Sequence, residues 1–190
     1  LFTLTPAGAI TYTGLGWVVA LAPLGILLAA GFIMKNVTAR NAGIIYWSIV
    51  ALIGASLGTV VILYTGVSIF TTFLITASSF GVLSLVGYTT KKNLSAMGSF
   101  LIMGVWGLLI AMVVNIFVGS GLLALMNSGV GVLIFAGLIA YDTQRLKMTY
   151  YQLNGDGEQL AVATNFGALS LYLDFINLFR FLLMFLGARR

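Results

Sequence analysis

Ala168-Leu-Ser-Leu-Tyr-Leu-Asp-Phe-Ile-Asn-Leu-Phe-Arg180 sets one carboxylate, Asp174, in the middle of a long apolar segment. The segment runs from about Ala161 to Leu186, long enough to cross a bilayer as a helix. Asp174 is its only acidic residue, so a simple crossing puts it near mid-membrane. A carboxylate at that depth costs about 2.5–3.5 kcal/mol on insertion scales. It should therefore face protein or a wet cavity and have a partner.

The rest of the chain agrees with a membrane setting. Of 190 residues, 61% are hydrophobic and 7% charged, and the mean hydropathy is +1.11. Ordinary soluble domains are about 25% charged. The reading is an all-α polytopic membrane protein, with residues 1–190 as a single transmembrane helical domain. Cys and His are absent. That excludes disulfides, thiol nucleophiles, His-based triads and the usual zinc sites, so no cofactor or firmly bound metal is expected. The net charge of +5 does not point to nucleic acid, because the basic residues are scattered between apolar segments. They read as topology signals facing a lipid bilayer.

Six spans are expected. Residues 1 to about 14, with Pro6 and Gly8, read as an end or loop. The first span is about Gly16 to Met34, followed by Lys35 and Arg40. The second is about Ala42 to Leu63 and contains Gly54-Ala-Ser-Leu-Gly58, a spacing that lets helices approach closely. The third, about Val67 to Tyr88, is rich in Ser and Thr. The fourth is about Met97 to Val118. After a tight turn at Gly119-Ser-Gly121, the fifth runs from about Leu122 to Tyr141. A polar stretch, about Thr143 to Gln159, then reads as a loop before the sixth span. Its Asn154-Gly-Asp-Gly-Glu158 lacks the regular ligand series of an EF-hand. Lys35 with Arg40, Lys91 with Lys92, and Arg145 with Lys147 fall in alternate connections, which should face the cytoplasm or matrix. Arg189 and Arg190 then conflict with a full last crossing, unless that segment is broken or re-entrant or the earlier loops dominate.

Of the four acidic residues, Asp156 and Glu158 lie in the polar loop. Asp142, at the end of span five, is the one plausible acidic partner for Asp174. Ser170, Asp174 and Asn177 share a helical face. Tyr141 and Arg145 flank Asp142, and Arg180 follows Asp174 and could pair with a carboxylate. Two carboxyls in a poorly solvated site do not both ionise comfortably, so the pair should titrate as a unit. Protonated, they can share a hydrogen bond. Ionised, they repel or recruit a cation. The bland alternative is a helix-end Asp142 near Arg145 and an Asp174 satisfied by neighbouring Ser, Thr or Asn. An intramembrane aspartyl protease would need Gly-x-Gly before the second Asp, and Leu171-Tyr-Leu173 stands there instead. No enzyme is expected.

At Ser170-Leu-Tyr-Leu-Asp-Phe-Ile-Asn-Leu-Phe179, Ala140-Tyr-Asp-Thr-Gln-Arg145 and Gly87-Tyr-Thr-Thr-Lys-Lys-Asn-Leu-Ser95 with Gly98-Ser-Phe100, the sequence resembles the Bax-inhibitor (transmembrane Bax inhibitor motif) family, closest to proteobacterial members. The resemblance implies a seven-helix bundle with a central C-terminal helix. The six visible spans would be helices two to seven, with the first family helix absent from this chain. It implies a pH-sensitive calcium leak, with Asp142 and Asp174 as proton sensor and cation path. Asn177, Arg145, Tyr141 and Ser170 would surround them, and Arg40 or Arg180 would be an ion-pair partner, with Lys35 an alternative to Arg40. Calcium would be a permeant ion only. Span one lacks the acidic residue that some calcium-leaking members carry. The competing reading is a non-conducting subunit or regulator of a membrane AAA protease or respiratory-chain complex. The setting implied is the bacterial inner membrane, or alternatively the mitochondrial inner membrane.

Overall fold

A computed structural model describes residues 2–4, 10–13, 38–153 and 156–188. The first element is a short antiparallel hairpin, β1 (Phe2–Leu4) with β2 (Ile10–Tyr12), in which Phe2 faces Tyr12 and Leu4 faces Ile10. Residues expected to be an irregular end thus pair as strands. The aromatic and β-branched composition of the two triplets suits strand geometry. The expected first span, about Gly16 to Met34, lies outside the described residues.

Helices follow: α1 (Ala39–Ser56), α2 (Gly58–Leu63), α3 (Gly66–Thr89), α4 (Ser95–Val118), α5 (Gly121–Gln152) and α6 (Gly157–Leu186). The α1–α2 stretch interrupts at Leu57, inside the expected second span, where the Leu57 N–H reaches the Ile53 and Gly54 carbonyls. Taking α1–α2 as one span, five helices among the described residues are long and apolar enough to cross a membrane. Thr38, Thr65 and Ser120 cap α1, α3 and α5 with their side-chain oxygens, the usual device for helix N-termini. Gly119 closes α4 with φ +65°, a conformation that favours glycine.

Helix α5 is longer than expected. It continues past Tyr141 to Gln152, so much of the supposed loop is helical. Thr143-Gln-Arg-Leu-Lys-Met148 contains no breaker, and the first strong turn signal is Asn154-Gly155. Helix α6 is continuous from Gly157 to Leu186, so the last segment is not broken.

Two compact units can be distinguished: Leu1–Leu63 with Gly155–Leu169, and Tyr64–Asn154 with Ser170–Arg190. The first holds the hairpin, α1, α2 and the start of α6, with Ala42 and Ile49 fully buried on one face of α1. The second holds α3, α4, α5 and the rest of α6. Its core is Leu101 and Leu108 of α4, Ile134, Phe135, Leu138 and Ile139 of α5, and Leu178, Phe181 and Leu182 of α6. Helices α5 and α6 have the largest buried shares, 33% and 39% of their most apolar windows, against 6–11% for the other spans. The outer faces of α3 and α4 expose Phe70, Leu85, Phe100, Trp106 and Phe117, as expected for surfaces solvated by lipid tails.

In the second unit α5 and α6 run antiparallel in a steady register. Arg145 meets Ser170, Phe135 stacks on Phe181 with ring centroids 5.6 Å apart, and Gly129 faces Phe185. The far end of α6 is tied to the start of α3. The Thr65 N–H donates to the Ala188 carbonyl (3.2 Å) and the Ala188 N–H to Ser68 Oγ (3.0 Å).

Candidate functional site: a carboxyl pair between two cavities

The α5–α6 register brings the carboxyls of Asp142 and Asp174 close enough to interact. Ionised carboxylates only accept hydrogen bonds, so the two can bond to each other only when one of them is protonated. Asp174 is 6% exposed, and its Oδ2 has no hydrogen-bond partner among the described residues. Arg145 Nη1 lies 3.6 Å from Asp142 Oδ1, with the Arg side chain half exposed and the Asp side chain nearly buried. Arg145 Nη2 also reaches Ser170 Oγ (3.5 Å), and its guanidinium lies 5.9 Å from the Tyr141 ring centre. Tyr141 and Ser170 thus contact Arg145, which in turn lies beside Asp142.

The depth of the pair differs from the sequence expectation. Asp142 sits half a turn from Gln144, whose side chain clamps the α3–α4 connection. The Leu94 N–H donates to Gln144 Oε1, and Gln144 Nε2 donates to the Lys92 carbonyl, both at 2.8 Å. Asp174 is level with Asp142, so both lie near the basic end of the helices rather than at mid-bundle. Within the second unit α6 contributes Ser170 onward, so Asp174 lies in the first turns of α6 there.

Close backbone approach supports this level. A Cβ on Gly87 of α3 would collide with the Ala140 carbonyl, and one on Gly98 of α4 would enter the Tyr141 ring. Both glycines lie in segments that carried the family resemblance. Their role is to let α3 and α4 close on the α5 turn that bears Asp142.

Two cavities of the second unit bear on the pair's surroundings. One, of about 750 Å³, is lined by Tyr141 and Arg145 together with Lys91, Lys92, Asn93 and Lys147 among others. The other, of about 280 Å³, lies towards the far end of α6 and is lined by Asn115, Asn127, Asn177 and Arg180 among others. Phe135, Leu138, Ile139 and Leu178 are buried in the core at about the level of Asn177 to Phe181. Asn177 donates to the Leu173 carbonyl (2.9 Å) and belongs to the second cavity with Arg180, rather than to the surroundings of the carboxyls. Arg40 is exposed, in the first turn of α1. Sequence reasoning missed Gln144, Asn115 and Asn127 as parts of this arrangement. Gln144 was visible inside Tyr141-Asp-Thr-Gln144, but its partners are backbone groups some fifty residues away.

The sequence profile of the family described as Inhibitor of apoptosis-promoting Bax1 matches residues 1–190. The chain belongs to the Bax inhibitor family. A Caulobacter vibrioides protein is 61% identical over 178 residues, covering 94% of this chain and 71% of that protein. Protein RP147 of Rickettsia prowazekii is 44% identical over 180 residues, covering 94% and 75%. Inner membrane protein YbhL of Escherichia coli K12 is 41% identical over 177 residues, covering 93% and 75%. This Bax inhibitor family chain is thus a membrane protein whose apolar helices imply embedding in a bilayer.

Proposed function

We propose that this protein is a pH-sensitive cation leak, with calcium the permeant ion, in the bacterial inner membrane. The observation that carries the reading is the meeting of two carboxyls, Asp142 and Asp174, between apolar helices. Ionisable groups inside membrane helices mark ion and proton pathways by default. With one shared proton the pair ties α5 to α6. With both carboxyls ionised, they repel and leave hard oxygen ligands that suit calcium. The apolar cluster of Phe135, Leu138, Ile139 and Leu178 below them acts as a hydrophobic constriction. Separation of α5 from α6 would join the basic cavity to the amide-lined one. Tyr141 and Ser170 orient Arg145, which compensates charge on Asp142. The clustering of Lys91, Lys92, Arg145 and Lys147 at one end fits that end facing the cytoplasm.

The test is calcium flux into proteoliposomes at about pH 6 and about pH 8, where the pair is read as a unit. Flux should be larger at the higher pH in the wild type. Asp174→Asn should remove the difference between the two. Absence of flux from the wild-type protein at both values would sink the channel and leave a non-conducting subunit or regulator of a larger membrane complex.

A further inference from the structure

Of the groups beside the carboxyl pair, only Tyr141 and Arg145 reach the larger cavity. Its walls carry a concentration of positive charge that the leak does not require. Lys91 and Lys92 come from the α3–α4 connection, and Arg145 and Lys147 from the extended end of α5. Among the described residues no acidic one lines the cavity, and Asp142, beside it in sequence, is paired with Arg145. Four cations sharing a cavity of about 750 Å³ repel one another, and an anion relieves that repulsion.

The other lining groups favour a polyvalent oxyanion. Asn93 and Ser95 add hydrogen-bonding side chains. Asn93 spends its oxygen on the Ser95 N–H (2.9 Å), so its amide N–H groups remain as donors. Helix α4 also begins here, and its Leu94 cap makes no side-chain hydrogen bond, adding the positive end of a long helix dipole. Lys147 is held by the Tyr88 carbonyl (2.7 Å) and lies 4.7 Å from the Tyr88 ring centre, which fixes its ammonium at the rim. Lys91 and Lys92 are exposed and free to close over a ligand.

The placement of the cavity along the helices also suits phospholipid headgroups. It is at the end of the apolar part of α3 and α4, and Tyr88, Met148, Tyr150 and Tyr151 are exposed around that level. Interfacial tyrosines mark headgroup depth, and basic pockets between membrane helices accept anionic headgroups.

We propose that this cavity is a phosphate-binding site, whose anion is the headgroup of an acidic phospholipid or a free phosphate. It stands apart from the leak, although Arg145 is common to both. An anion there competes with Asp142 for the same guanidinium.

The experiment uses the whole protein in nanodiscs of phosphatidylcholine containing about one quarter phosphatidylglycerol, a composition that supplies anionic headgroups. Lipids retained through detergent exchange are counted by native mass spectrometry. In a separate arm the unfolding midpoint is followed as inorganic phosphate replaces chloride at constant ionic strength. Lys91→Gln with Lys92→Gln is compared with wild type and with Arg40→Gln, which removes an exposed cation from the other unit. The proposal expects about tenfold preferential retention of phosphatidylglycerol, equivalent to about 1.4 kcal/mol, or a phosphate-specific rise in the midpoint. In either case Arg40→Gln should behave as wild type and the double variant should lose the effect. Lipid retention assigns the headgroup as the source; a midpoint rise without retention assigns free phosphate. Neither effect in the wild type, or equal effects in the double variant, overturns the site. Calcium flux is not part of the readout, so the leak and this site can fail separately.

Discussion

The two ends of the α5–α6 pair in the second unit share one scaffold but hold different chemistry. At the basic end, two carboxyls meet beside Arg145, near a cavity lined with cations. At the other end, Asn115, Asn127 and Asn177 line a smaller cavity with Arg180. Amides are neutral at every physiological pH, so the second cavity can be wet without responding to protons. Carboxyls can change charge, so in the proposed leak it is the first end that would sense protons. If an ion passes between the cavities, one end sets when and the other sets how easily.

The largest test of this contrast concerns how each end is packed. Gly87→Leu pushes a side chain against the Ala140 carbonyl, which is backbone and cannot give. The expected cost is about 3 kcal/mol, the upper part of the usual overpacking range, read as a lowered unfolding midpoint in detergent. Gly131→Leu instead meets the Phe181 ring, a side chain rather than backbone, and should cost less, about 1 kcal/mol. Equal costs would mean that the basic end is no more tightly closed than the other.

A smaller effect separates conduction from sensing. Asn127→Leu removes a buried amide from the second cavity. Flux should fall about tenfold, as for a barrier raised by about 1.4 kcal/mol, while the ratio of fluxes at the two pH values stays as in wild type. A changed ratio would break the division of labour between the ends.

The smallest effect belongs to Arg145→Gln. The guanidinium stabilises charge on Asp142, but it is half exposed and 3.6 Å away, so solvent screens it. Partly exposed ion pairs contribute about 1 kcal/mol or less. Flux at about pH 8 should drop about threefold. A total loss would mean that Arg145 is an obligatory part of the path.

How much of this was legible in the sequence varies by element. Helices α3 and α4 were legible to within a few residues, because an apolar run bounded by Thr65-Gly66, Lys91-Lys92 and Gly119-Ser-Gly121 carries its own limits. The end of α5 was not. Polar residues after Tyr141 looked like a loop, yet polarity marks solvent rather than helix termination, and the chain stays helical until Gln152. The break at Leu57 left no sequence signal stronger than the neighbouring Gly54 and Gly58.

The sequence by itself determined the membrane class, the identities of the two carboxyls and the absence of Cys and His chemistry. These follow from composition and from hydropathy that repeats locally along the chain. Only the tertiary structure decided the level at which Asp174 meets Asp142, the assignment of Asn177 to the far cavity, and the convergence of Lys91, Lys92, Arg145 and Lys147. Those depend on the register of antiparallel helices, set by contacts such as Phe135 on Phe181 and Gly87 on Ala140. Residues far apart in the chain make such contacts, and no local pattern encodes them.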